Sequence, residues 1–370
     1  MFTTKDILIL RQIEGLGDIK LRQLFSQFES LDNIFETHPA NLHTLISPAI
    51  AQKISDFKNN GTLAKEIAFA EQQLETAYKL NGKILSLFDE EYPESLKTIY
   101  DAPVLLFVLG AILPADKYSI AIVGTRTPTH YGKKISEMFA EKFARYGITV
   151  ISGLAYGVDS IAHKTTLAHS SRTIAVLAGG VDKIYPQENI ELAHRIAENG
   201  AVLSEFPFGT RPEPFLFPRR NRIISGMSLG TLLIESTIDG GGMITMEMAL
   251  DQNKELFAVP GQVTEKKSEG CNYLIKEGKA KLVQKPEDVL IELEYKLKPI
   301  LNRTTEKEQP KITLTLFEEK IYNTLADAPK HIDTIVEEAS LSPSDVLVNL
   351  LSLEFKNLVR QLAGKMFMRM

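Results

Sequence analysis

From Ser119 onward the sequence predicts an α/β protein built on a doubly wound, mostly parallel sheet. Two observations carry this reading. Short apolar runs alternate with amphipathic segments of helical spacing, the pattern of consecutive β-α-β units. The runs are also apolar nearly throughout, as strands covered on both faces must be.

The elements follow in order. SIAIVG, starting at Ser119, is the first strand of the series. KKISEMFAEKFARYG follows, with Ile135, Phe139 and Phe143 at helical spacing and Gly147 as its stop. ITVISG is the next strand and SIAHKTTLAHS the next helix. RTIAVLAGG is a third strand, and NIELAHRIAENG a helix closed by Gly200. AVLSEF, GTLLIES and ELFAVPG continue the series, and KAKLV (Lys279–Val283) is an edge strand. This sheet domain spans residues 80–295.

Residues 1–75 read as a small helical domain, SAM-like or helix-hairpin-helix-like. KDILILRQI and IKLRQLFSQF flank GLG, Gly15–Gly17. In a helix-hairpin-helix such glycines let backbone approach a DNA phosphate at a helix N-terminus. A plain tight turn is the alternative. KLKPILNRTTEKEQPKI (296–312) is charged, carries Pro299 and Pro310, and reads as a linker. Residues 313–370 hold three helical patterns, with Ser342 as a cap, then a segment around Gly364 that alternates apolar and basic residues. That is a winged helix. Lys356, Arg360, Lys365 and Arg369 give it a basic wing.

The chain has 370 residues, 44% of them hydrophobic and 24% charged, ordinary for a globular protein of two or three domains. The net charge of -5 means that nucleic-acid binding must rest on a local patch. The one cysteine, Cys271, excludes an internal disulfide and cysteine-cage metal sites, and reads as a small buried residue. MFTTKDILIL lacks the features of a signal peptide. The longest apolar run, Ala102–Leu113, falls short of the ~20 residues of a membrane helix. A cytoplasmic protein without membrane association is expected.

Ligands of open parallel sheets bind outside the carboxyl ends of the strands. Here those ends carry GTRTPTHYG (Gly124–Gly132), SGLAYGVDSIAH (Ser152–His163), GGVDKIYP (Gly179–Pro186), EFPFGTRPEPFLFPRRNR (Glu205–Arg222) and ESTIDGGGMIT (Glu235–Thr245). Loops rich in glycine and hydroxyls at one edge predict a rim of backbone N–H groups for phosphates. No Walker A loop, GxGxxG, HExxH or GxSxG is present, and no metal or cofactor is expected. His163 follows Asp159 by four residues, so the two could face each other, as a structural bond rather than an acid–base pair. Asp159 and Asp182 could position loops. The cationic candidates are Arg126, Arg219, Arg220 and Arg222. Around the last three, Ser204–Ser228 interleaves four arginines with Phe206, Phe208, Phe215 and Phe217. Arginines for phosphates beside aromatics for bases compose a single-strand nucleic-acid groove. Two or three of these eight residues should instead be structural, in the core or paired with Glu205 or Glu235, with Arg220 or Arg222 among them.

With these loops placed, the sequence resembles the DNA-processing protein A family (DprA, also called Smf). SIAIVGTRTPTHYG, VISGLAYGVDSIAH, TIAVLAGGVDKIYPQEN, LSEFPFGTRPEPFLFPRRNRIISGMS, GGGMITMEMAL and LFAVPG…EGCNYLI carry the likeness, in this order. The resemblance implies an extended Rossmann-like sheet domain in a bacterial protein of natural transformation. Such a protein binds and protects incoming single-stranded DNA, dimerises, displaces single-strand-binding protein and loads the recombinase RecA, without catalysis. Carried over residue by residue, it places Gly124, Thr125 and Arg126, Ser152 and Gly153, Gly179 and Gly180, and Phe217, Arg219, Arg220, Asn221 and Arg222 at the DNA. Threonine replaces the family's frequent serine at Thr125 and keeps the hydroxyl. GGGMIT (Gly240–Thr245) lacks the serine of the family's SGSLIT and puts a contact there in doubt.

Two other readings compete. The sheet distantly resembles nucleoside monophosphate phosphoribohydrolases, whose PGGxGTxxE loop SLGTLLIE matches only at Gly230, Thr231 and Glu235. A pure adaptor would use the winged helix for a protein partner and the sheet as scaffold. Salt-sensitive binding of DNA separates the first reading from both.

Overall fold

The computed structural model describes residues 2–59, 62–307, 314–326, 328–356 and 358–369. Nine strands form one sheet: β1 (Gly82–Ser86), β2 (Leu105–Gly110), β3 (Ser119–Val123), β4 (Thr149–Ser152), β5 (Thr173–Val176), β6 (Ala201–Ser204), β7 (Gly230–Leu233), β8 (Glu255–Ala258) and β9 (Lys281–Leu282). Their order is β1-β2-β6-β5-β4-β3-β7-β8-β9. From β6 to β9 all neighbours are parallel, and β1–β2 and β2–β6 are antiparallel. The expected parallel series β3–β9 is therefore present. The antiparallel pair β1–β2 is an addition to it. Its strands are joined by 18 residues with a short helix, Glu94–Lys97, rather than by a tight turn, so no hairpin signal marks it.

Period-two packing explains why the strands read as continuously apolar. In β3, Ile120 and Ile122 join the core on one face of the sheet, with Phe139 and Phe143 of the helix His130–Arg145. Ala121 and Val123 join the core on the other, with Ile223 and Ile224 of the helix Leu216–Met227. Both faces are covered, so both parities are apolar.

Two predicted boundaries move. The helix Thr62–Lys79 runs through the boundary placed at residue 75. The N-terminal helices share one core with the sheet, in which Ile7, Leu8 and Leu10 cluster with Phe107 and Val202. Residues 1–302 thus form a single unit. The expected linker at 296–312 is helical in its first part, since a helix spans Glu294–Lys307 with Pro299 inside it. Leu297 is fully buried, and Ile300 and Leu301 pack on the core beside β3 and β8. The charged sequence hid this apolar stripe at helical spacing. Residues 308–312 of the expected linker lie outside the described residues.

The second unit, residues 303–370, contains the winged helix. The helices Leu316–Thr324, Ile332–Ala339 and Pro343–Phe355 pack on a small sheet of β10 (Lys330–His331), β11 (Val359–Leu362) and β12 (Met366–Arg369), ordered β10-β12-β11. Gly364, at φ +82°, turns the β11–β12 hairpin where an L side chain would be strained. Ser342 caps the third helix by accepting from Asp345 N at 3.1 Å. The basic wing is partly committed elsewhere. Lys356 bonds Glu318 at 2.7 Å, and Arg369 donates to the Tyr322 carbonyl at 2.7 Å from above its ring. Arg360 and Lys365 are exposed. The third helix, which a helix-turn-helix lays in a DNA groove, carries no lysine or arginine and exposes Leu347, Val348, Leu351 and Phe355. Among the described residues no helix is long and apolar enough to cross a membrane.

Because the sheet unit closes its own core, a chain ended after Asn302 should keep the full-length melting temperature of that unit within a few degrees by circular dichroism. Glu318 generates a second expectation. Hydrogen bonds from Lys356, Ser352 and the Thr315 backbone pull its carboxyl from 4.5 down to about 2. A depressed carboxyl stabilises the fold above its unfolded pKa and loses that contribution as pH falls through the folded one. The winged helix should therefore lose stability between pH 4.5 and about 2, and Glu318→Gln should flatten that part of a stability-versus-pH curve.

Candidate functional site

The strand order reverses between β3 and β7: the chain winds from β3 out to β6, then returns to place β7 on β3's other side. The helices that follow the two strands cover opposite faces of the sheet, and at such a switch point these sheets hold ligands. A cavity of about 610 Å³ opens there. Its walls are Gly124, Thr125 and Arg126 after β3, Ser236 and Thr237 after β7, Gly240–Gly242 at the start of the helix Gly241–Asp251, and Phe217, Pro218, Arg220 and Asn221 of the helix Leu216–Met227.

The loop after β3 is tightly held. A Cβ on Gly124 would sit 2.8 Å from Val158 and 3.0 Å from the Glu235 carbonyl, so only glycine fits. Thr125 N donates to that same carbonyl at 2.7 Å, and the Lys267 ammonium donates to the Thr127 carbonyl. Arg126 projects from this fixed loop into solvent. Its guanidinium lies 5.6 Å from the centre of the Phe217 ring, and Tyr185 meets that ring edge-on at 5.9 Å. Phe217 is half-buried and Tyr185 half-exposed. A cation and two aromatic rings thus share the mouth of the cavity.

The arginine-rich stretch is a helix, Leu216–Met227, not the loop expected. Successive residues of a helix point about 100° apart, which separates the arginines into three environments. Arg219 is half-exposed, 5.4 Å from the Phe206 ring centre and 3.6 Å from the Glu205 carboxylate. Arg220 runs beneath the cavity. It is buried, and its Nη1 donates to the Val176 carbonyl at 2.6 Å. A Cβ on Gly153 would overlap its guanidinium. Burial pulls Arg220 down to about 10, with Asp159 raising it again, so it stays a cation at neutral pH. Its Nε has no hydrogen-bond partner.

Arg222 points away from the cavity into an ion-pair cluster. It meets Glu205 at 2.5 Å, Asp101 at 3.2 Å and Asp18 at 3.8 Å, and Arg11 approaches the same Glu205 oxygen at 3.6 Å. Burial pushes the Glu205 carboxyl up, and the two guanidinium groups oppose that shift. Phe206 and Phe208 are core residues. Four of the eight aromatic and cationic candidates are therefore buried, rather than two or three. Asn221 is buried but reaches the cavity wall.

Other sequence-predicted contacts are not at the cavity. Ser152 is buried, donating to the Ile122 carbonyl at 2.6 Å, and Gly153 N donates to Asp159 at 3.1 Å. Gly179 and Gly180 lie under the segment Thr210–Pro212, with Gly180 N donating to the Thr210 carbonyl at 2.9 Å. The rim of five loops reduces to the loops after β3 and β7, Ala155 and Asp159 from the segment after β4, Tyr185 from the loop after β5, and the arginine helix. Asp159 and His163 are not a pair. Asp159 accepts from Gly153 and Ala155, while His163 Nδ1 meets Thr173 Oγ1 at 2.7 Å. Asp159 and Asp182 do position loops, Asp182 by accepting from Gly209 N at 2.8 Å. Tyr185 is the one mouth residue absent from the sequence-predicted set; its signal was an aromatic in a strand-end loop.

The glutamate needed for phosphoribohydrolase chemistry is committed. Glu235 is buried and accepts from Thr129 N at 2.9 Å and Thr129 Oγ1 at 2.5 Å, against Gly132 at the start of the helix His130–Arg145. Gly230 and Thr231 are buried within β7.

Comparison with known proteins fits this geometry. The family model of DNA recombination-mediator protein A matches residues 83–294, and that of the DprA winged helix domain matches residues 305–365. The chain belongs to the DNA recombination-mediator protein A family. A Smf protein of Escherichia coli is 36% identical over 289 residues, 77% of this chain and 76% of that one. The crystal structure of DNA processing protein A from Streptococcus pneumoniae superposes with a TM-score of 0.67 at 32% identity, over 78% of this chain and 98% of that one. A DNA processing protein A from Helicobacter pylori, described for its single-stranded DNA binding mode, gives 0.53 at 30%, over 58% and 96%.

Two of these arginine environments predict different costs. Arg222→Ala, which leaves Glu205 buried with one fewer partner, should destabilise the sheet unit by roughly 3–5 kcal/mol. Arg219→Ala, which removes only a half-exposed cation 3.6 Å from that carboxylate and leaves Arg222 and Arg11 on it, should cost less, about 1 kcal/mol. Urea denaturation of both variants checks the contrast.

Proposed function

We propose that this chain binds single-stranded DNA at the switch-point cavity, and that it does so as a binding protein rather than an enzyme. One observation carries the reading: Arg126 stands over Phe217, with Tyr185 edge-on, at the mouth of a cavity whose floor holds the buried cation Arg220. A guanidinium and aromatic faces side by side are what a phosphate and an unstacked base require. Arg126, Thr125 and Gly124 take the backbone of the strand, Phe217 and Tyr185 a base, and Arg220 adds positive potential from below. Arg219 supplies a further phosphate contact beside the mouth. The single-stranded DNA binding mode of the Helicobacter pylori protein supports the same ligand class.

The family description, a recombination mediator, supports the finer role. In this reading the protein is a cytoplasmic homodimer that protects incoming single strands during natural transformation, displaces single-strand-binding protein and hands the strand to RecA.

Fluorescence anisotropy with labelled oligo-dT tests the site. Binding should fall steeply with salt, as counterion release requires. Arg126→Ala should lower the salt slope by about 1, and Phe217→Ala should cost roughly 1–3 kcal/mol of binding, both with the fold intact. Wild-type affinity in both variants would remove the site. For the finer role, wild type should speed RecA filament growth on coated single strands, and Arg126→Ala should not.

A further inference from the structure

A second cavity, of about 410 Å³, opens beside the first. Pro218 belongs to the walls of both. The far wall of the second is the Gly15–Gly17 turn and the start of the helix Asp18–Phe25. Gly15 has φ +86°, so this turn needs glycine for its geometry. Gly17 caps the helix without any side-chain bond, and a Cβ there would meet nothing within 4 Å. The helix start is therefore open to the cavity.

Three cations line the same space. Lys20 folds its ammonium back onto the Gly15 carbonyl at 3.1 Å. Arg219 stands half-exposed across from it. Arg222 forms part of the wall, its side chain only 7% exposed, and its Nη1 has no hydrogen-bond partner. The two carboxylates on this wall, Asp18 and Asp101, are held by Arg222, and Asp18 also by Arg11 and the Val104 N–H. Lys20 and Arg219 are left at the opening.

We propose that the second cavity takes the next phosphodiester of the same single strand. The strand leaves Phe217, crosses Pro218 and sets a phosphate against the Gly15–Gly17 turn, between Lys20 and Arg219. Backbone N–H groups at the helix start and the two cations supply the contacts such a group needs. This rests on the single-strand reading above and extends it: the N-terminal helices become part of the DNA track.

The test compares oligo-dT of about 4 and about 16 nucleotides, at the limits of the site sizes of single-strand grooves, on full-length wild type, Lys20→Ala and Lys20→Arg. The short oligomer fills only the first cavity. Lys20→Ala should weaken the long oligomer roughly tenfold and lower its salt slope by about 1, leave the short one unchanged, and be rescued by Lys20→Arg. Equal binding of the long oligomer by Lys20→Ala and wild type overturns the proposal. So does equal weakening on both lengths, or an equal loss on a blunt duplex, which would make the turn a duplex contact. If wild type binds neither length, the single-strand reading itself fails. If wild type binds and Lys20→Ala is silent, only the second cavity does.

Discussion

The sheet unit depends on how one buried charge is neutralised. Glu205, just after β6, has no solvent exposure. A carboxylate in that position costs several kcal/mol unless cations come to it. They come from two distant segments: Arg11 from the N-terminal helices and Arg222 from the arginine helix. Arg11 also donates to the Glu205 carbonyl at 2.6 Å. The cluster therefore ties three parts of the chain to one point. Its effect on the cavity is indirect: by fixing the arginine helix it fixes Phe217 and Arg220, which lie on the same helix and form the mouth and the floor.

The division of labour among the arginines solves an electrostatic problem. An acidic chain that binds a polyanion must attract it locally. In the proposed reading Arg126 acts from a loop whose backbone is fixed by Glu235, and Arg220 from a depth at which water screens little. The phenylalanines divide in the same way. Phe206 and Phe208 hold the core under the site, and Phe217 faces out of it.

Much of this was legible in the sequence because it follows from local pattern. Apolar runs with glycine stops located β3–β9, the strand-end loop after β3 singled out Arg126, and the arginine–aromatic composition of 204–228 singled out Phe217. What was hidden depended on distant packing. Gly179 and Gly180 look like a phosphate loop until Thr210–Pro212 folds over them. The arginine helix was obscured by its prolines, yet Pro218 sits in the first turn, where no N–H is needed. The stripe Leu297, Ile300 and Leu301 was masked by the charges around it. The sorting of Arg219, Arg220 and Arg222 is a matter of helical phase against partners far away in the chain, which no local window contains.

Cys271 has a practical consequence. It is fully buried, with its sulfur against the Leu233 and Ile234 carbonyls, and burial pushes the thiol up to about 12. At neutral pH it is protonated and shielded, so reagents in solution find no reactive sulfur on the native protein. A cysteine introduced on the surface would be a unique attachment point without prior removal of the native one. A dye placed near the mouth of the first cavity would then report the arrival and departure of any strand bound at the proposed site, on an otherwise unaltered molecule.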